Sequence, residues 1–136
     1  MRCYSIPVID LYQVWPLVAP MIQESLENCD PPADYNIHHA QQFLTSGAWA
    51  LIVADDGADV VGACTVVIQN NPTQRVAFIT SLGGRGILTP EGFDSLRHLL
   101  QKYGVTKIRG YVRPSVARLA AQVGFTKGDT LVECGV

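Results

Sequence analysis

Residues Arg75 to Phe125 read RVAFITSLGGRGILTPEGFDSLRHLLQKYGVTKIRGYVRPSVARLAAQVGF. An apolar, β-branched run through Leu82 passes into Gly83-Gly84-Arg85-Gly86, and the spacing of apolar residues then changes from strand-like to helical. Thr89 suits an N-cap and Pro90 the first helical position, while Phe93, Leu96, Leu99, Leu100 and Tyr103 fall along one face until Gly104. Lys107 to Val112 predicts a strand, Pro114 to Val123 a short helix ended by Gly124, and Thr130 to Cys134 a last strand. Strand, glycine loop, helix, strand and helix in that order imply an α/β chain.

Upstream of this stretch, Ala48 to Ala54 and Val60 to Ile68 are apolar runs joined by the turn-rich Asp55-Asp56-Gly57-Ala58-Asp59. With the run from Arg75 to Leu82, reached through Asn70-Asn71-Pro72-Thr73, they predict an antiparallel meander. Cys3 to Val8 predicts an edge strand, since Pro7 has no amide to donate. Asp10 then caps a helix whose apolar residues from Leu11 to Leu26 recur at helical spacing, and Pro16 and Pro20 predict a kink or two short helices. A linker containing Pro31-Pro32 follows, and Asn36 caps a second helix that ends at Gly47.

A length of 136 residues suits one domain, residues 1–136, with enough surface to bury for a core without staples. The formal net charge of −2 gives no general attraction to a phosphate backbone, so no nucleic-acid partner is expected. Cys3, Cys29, Cys64 and Cys134 are widely spaced with no CxxC or Cys/His cluster, which predicts no metal site and buried, reduced thiols. No apolar run is long enough to span a bilayer, and the first residues lack a signal core. The expectation is therefore a soluble, cytoplasmic protein without a membrane partner.

This succession of elements resembles the GNAT (GCN5-related N-acetyltransferase) fold, a central, mostly antiparallel mixed sheet flanked by helices. Arg118-Leu119-Ala120-Ala121-Gln122-Val123-Gly124-Phe125 is similar to the family's ending, in which a helix with an arginine-leucine-tyrosine run closes on glycine-phenylalanine. Trp15-Pro16, Leu82-Gly83-Gly84 and Arg113 are similar more narrowly to short GNAT-like proteins encoded among bacteriophage structural genes. The resemblance implies acetyl-CoA or a related acyl-CoA as cofactor and an amine on a small molecule or protein as acceptor. It also allows a homodimer through the short last strand and, for a phage-encoded chain, a virion protein partner and a place in the host cytoplasm or the virion.

The family's loop after the central strand binds the coenzyme's pyrophosphate. The resemblance puts Leu82, Gly83, Gly84, Arg85 and Gly86 in that role, with Arg85 able to add a charge-assisted bond. The spacing departs from the family's pattern, and Glu91 sets a carboxylate in the first turn of the next helix. Ala120 stands where the family's tyrosine protonates the departing thiolate, which leaves Tyr111 and Ser115 as candidate acids. For a base, the central strand has only Thr80 and Ser81, so His38 and His39 on the second helix and Glu24 on the first are the candidates. Three readings follow: an acyl-CoA-dependent N-acetyltransferase with an altered loop, a catalytically silent phage-associated structural or interaction protein on the same scaffold, or, between them, a sensor that binds a CoA-like ligand without turnover.

Overall fold

The computed structural model describes residues 1–30 and 32–136; Pro31, half of the expected Pro31-Pro32 linker, lies outside the described residues. The elements run β1 (Arg2–Ile6), a 3-10 turn (Val8–Asp10), α1 (Leu11–Glu27), α2 (Ile37–Ser46), β2 (Ala50–Asp55), β3 (Val60–Asn70), β4 (Arg75–Gly84), α3 (Pro90–Gln101), β5 (Lys107–Gly110) and α4 (Pro114–Gln122). The five strands lie side by side in chain order. β1 to β4 pair antiparallel and β5 joins β4 in parallel, so the crossover through α3 supplies the only parallel pair among the described strands.

Alternation along the strands sends side chains to two cores. Ile52, Cys64, Val66 and Ala77 face Phe93, Leu96 and Leu100 of α3 on one side of the sheet. Leu51, Val53 and Ala63 face Val18, Ile22 and Leu26 of α1 and Leu44 of α2 on the other. Of the expected kink or two short helices, the second does not occur: helix α1 stays continuous through Pro16 and Pro20. Both prolines are exposed, so the carbonyls they leave unbonded face water, while Val18 and Ile22 are fully buried and hold the helix to the sheet. Asp10 precedes α1 but makes no side-chain cap, because the preceding 3-10 turn already leads into the helix.

Helix α2 begins as its sequence implies, with a reciprocal cap between Asn36 and His39, and ends on Gly47 at φ 81°. Thr89 caps α3 by accepting from the Gly92 amide. Tyr103 is exposed, since the chain has left the helix before reaching it.

The expected strand at Thr130 to Cys134 does not form: residues beyond Gly124 have no regular structure and, among the described residues, no strand lies beside them. Strand β5 is also shorter than expected, stopping at Gly110 and not Val112. Cys3 and Cys64 are buried, whereas Cys29 and Cys134 are exposed. No helix among the described residues is long and apolar enough to cross a membrane.

Candidate active site

The parallel ladder between β4 and β5 has four rungs, from Val76–Lys107 to Ile79–Gly110. β4 continues to Gly84, but β5 ends at Gly110 and the backbone leads through Tyr111, Val112 and Arg113 into α4. Beyond Ile79 the two strands therefore part. The parting coincides with a β-bulge: Thr65 pairs with Ser81 and Val66 with Ile79, which leaves Thr80 as the extra residue.

Side chains take the backbone groups that a fifth-strand neighbour would have bonded. The Thr80 carbonyl accepts from the Tyr35 hydroxyl, and the Leu82 amide donates to Ser25 Oγ at 3.3 Å. Tyr35 is held edge-on against Trp49, with ring centroids 4.9 Å apart. Its burial, together with nearby Cys29 and Asp34, raises the phenol above its ordinary pKa, so the hydroxyl keeps its proton near neutrality. Behind the bulge is a buried hydroxyl chain, in which Thr65 Oγ1 lies 2.7 Å from Thr80 Oγ1 and 2.6 Å from Ser81 Oγ, and Thr80 Oγ1 donates to the Thr65 carbonyl. Each hydroxyl finds a partner, which is what allows Thr65 to be fully buried.

The glycine loop closes the far end of β4. A Cβ on Gly83 would overlap the Met21 carbonyl of α1, and one on Gly84 the Val61 carbonyl of β3, so these glycines let three backbones converge. Gly86 at φ 99° turns the chain toward α3, with the Met1 side chain against it. Arg85 lies 3.6 Å from Asp56 in the β2–β3 turn, and the guanidinium is 71 % exposed. The Asp59 and Ala58 amides hold the Asp56 carboxyl below its usual pKa, with Arg85 adding a smaller contribution. Glu91 is exposed in the first turn of α3.

Of the residues expected from sequence, Leu82, Gly83 and Gly84 end β4 beyond its last rung with β5, Arg85 and Gly86 lie in the turn that follows, and Tyr111 comes just after β5, packed edge-on against Phe78 at 5.5 Å. Ser115 is exposed in the first turn of α4. His38 is exposed on the outer face of α2 beside Gln41 and Thr45, and the Nδ1 of exposed His39 accepts the Asn36 amide as part of the cap. Glu24 is exposed on α1, and neither histidine nor Glu24 hydrogen-bonds to β4 among the described residues. The sequence reading missed Ser25, Tyr35 and Thr65. Two consecutive hydroxyl residues, Thr80-Ser81, interrupting an apolar strand were the available signal of a bulge; nothing local marked Tyr35.

Solved structures of similar overall shape are those of acetyltransferases. An aminoglycoside acetyltransferase from an uncultured soil metagenomic sample, in complex with sisomicin, matches with a TM-score of 0.69 at 13% identity over 99% of this chain and 94% of that one. A ribosomal-protein-alanine N-acetyltransferase from Brucella melitensis biovar Abortus 2308 matches at 0.68 and 14% identity over the whole of both chains. The fold is that of the GNAT acetyltransferases. A further GNAT-fold neighbour, a predicted acetyltransferase from Clostridium acetobutylicum solved with acetyl-CoA, matches at 0.63 and 13% identity over 98% of this chain and 95% of that one. No family profile and no curated protein matches the sequence.

Proposed function

We propose that this chain binds an acyl-CoA, with acetyl-CoA the first candidate, in the parting of β4 and β5 and transfers the acyl group to an amine. The supporting observation is the parting itself, where β4 runs on past Ile79 paired to β3 but not to β5, and the Thr80 carbonyl and Leu82 amide bond the side chains of Tyr35 and Ser25. An extended ligand carrying amides can replace those two bonds, which makes the slot chemically suited to the coenzyme's arm. At the outer end, Arg85 is exposed, and its surface pair with Asp56 is of the kind worth about 0–1 kcal/mol, so the guanidinium is free to turn to a phosphate. Asp56 and Glu91 oppose that step by their charge, and in this sense the loop is an altered one.

The coenzyme supplies an activated thioester; the chain supplies position. Leu82 to Gly86 form one wall and Tyr111 the other, and the bulge at Thr80 presents backbone groups to the reacting end. The amine nitrogen bonds the acyl carbon as the carbon–sulfur bond breaks, and the proton lost by the amine balances the thiolate released. The resemblance makes His38, His39 and Glu24 the candidates to take the acceptor's proton, although His39 Nδ1 is already held by the Asn36 amide, and Tyr111 and Ser115 are the candidate donors to the thiolate. With Ala120 buried at the place of the family's tyrosine, water supplies that proton wherever neither reaches it.

The experiment is a thermal melt with acetyl-CoA followed by release of free thiol with a panel of amines. A rise in Tm and amine-dependent thiol release are expected, and an unchanged Tm at millimolar acetyl-CoA would falsify the proposal. Ala120 and the pairing of Arg85 with Asp56 favour a second reading, a GNAT scaffold that binds a CoA-like ligand as a sensor without turnover. A rise in Tm with no thiol release across the panel selects it.

A further inference from the structure

Helix α4 closes on a glycine turn, with Gly124 at φ 109° and the Phe125 amide returning to the Ala120 carbonyl at 3.1 Å. The turn brings the Phe125 ring against Phe93 of α3, with centroids 5.0 Å apart. It also leaves the Val123 carbonyl free to accept from Arg97 Nη2 of α3 at 2.7 Å. A Cβ on Gly124 would meet that nitrogen, so the glycine is what lets the guanidinium reach the carbonyl. On its other side the guanidinium carbon stands 4.8 Å from the centre of the Phe93 ring, where the ring's negative face attracts it. Arg97 is thus an exposed cation held in place by two contacts. A guanidinium has five N–H donors, and among the described residues this one makes a single hydrogen bond and no ion pair. The chain supplies no counter-charge nearby in sequence: Asp94 lies against His98 at 3.7 Å, and no carboxylate follows until Asp129.

Beside Arg97 runs a groove of about 250 Å³ between α3 and β5, floored by Phe93, Leu100, Val105, Ile108 and Phe125. Arg97 and Gln101, one helical turn apart on α3, give it a polar edge. Its volume is below the roughly 300–1,000 Å³ of pockets that take drug-sized ligands, so it suits a smaller one. Capping α4 occupies one donor of Arg97 and would not require an apolar trough beside it. The unused donors and the trough together define an anionic head on an apolar body. A planar fork matches the two oxygens of a carboxylate, and a single guanidinium balances its single charge.

We infer that this groove binds a small carboxylate with an unbranched apolar tail, its head on Arg97 and its tail along the floor between α3 and β5. Charge complementarity at the rim and the apolar floor carry the assignment. The groove lies outside β5 and not in the parting of β4 and β5 beyond Ile79, so the inference is independent of the acyl-CoA reading.

The test is a titration of octanoate into isotope-labelled wild-type protein, followed through methyl and aromatic resonances. Saturable shifts at Leu100, Val105, Ile108 and the rings of Phe93 and Phe125 are expected, with affinity rising roughly fourfold for each methylene from butanoate to octanoate. Octylamine, with the same tail and the opposite charge, is expected to leave these resonances unmoved. Arg97→Met keeps the apolar stem and is expected to weaken octanoate about tenfold or more, while Arg97→Lys, which keeps the charge, weakens it less. No shifts at millimolar octanoate, equal binding of octylamine, or unchanged affinity in Arg97→Met would overturn the inference. So would displacement of octanoate by acetyl-CoA, which would locate it in the strand parting. Shifts produced by a peptide with a free apolar C-terminal residue, but not by octanoate, would overturn it by giving the groove to a chain terminus. The wild-type measurements decide the matter even where a variant fails to fold.

Discussion

On the proposed reading, Arg85 and Asp56 decide how well the loop receives a phosphate. Replacing Arg85 by Ala is expected to weaken acetyl-CoA binding several-fold in calorimetry. Asp56→Asn is expected to strengthen it, since an amide oxygen still accepts the Ala58 and Asp59 amides while the competing charge is gone. Equal affinities for wild type and Asp56→Asn would show that the pair does not hold the arginine back. Deeper in the site, Thr65→Val removes the centre of the hydroxyl chain and leaves Thr80 and Ser81 short of a partner. A loss of about 1–3 kcal/mol in denaturant unfolding is expected. The Tyr35 phenol, with its pKa raised in the fold, gives a pH signature with a definite sign. Its contribution is present below the unfolded tyrosine pKa, about 10, and lost as pH rises through the higher folded value. Tyr35→Phe should flatten that alkaline decline in Tm; an unchanged profile would show that the phenol is not coupled to folding.

At the scale of elements, the caps and the glycine turns are where sequence and structure agree most closely. Asn36 and Thr89 cap as their positions imply, because a short polar side chain before a helical stretch has a local partner within three residues. Asn36→Ala is expected to cost about 1 kcal/mol, measured by denaturant unfolding. What local pattern did not reveal is set by distant contacts. Pro16 and Pro20 allow a kink or two short helices, and burial of Val18 and Ile22 against the sheet keeps α1 one helix. The last strand was read from β-branched residues alone, and without a neighbouring strand Thr130 to Cys134 remains unpaired. Gly83 illustrates both sources: sequence marks it as a turn, while the structure shows that it admits the α1 backbone. Gly83→Ala is expected to lower stability by about 1–3 kcal/mol through overpacking, with a fall in Tm as the readout.

At the scale of the whole molecule, the mixed α/β architecture was legible from the order of elements between Arg75 and Phe125, since a strand, a glycine loop and a capped helix can be arranged in few ways. The site was legible only along β4. Leu82 to Gly86 are contiguous, but Ser25, Tyr35 and Thr65 reach the same place from three other segments, and no spacing rule connects them. The four thiols make the same point: residue type alone suggested burial for all, whereas only Cys3 and Cys64 are enclosed, with burial pushing the Cys3 thiol up to about 11. Acyl-CoA binding as proposed requires the parting of β4 and β5 to be a ligand slot, and titrating acetyl-CoA into isotope-labelled protein while following backbone amide resonances tests this most directly. Saturable shifts concentrated at Thr80 to Arg85 and Tyr111 to Arg113 are predicted; no shifts at millimolar ligand, or shifts confined to another surface, would contradict it.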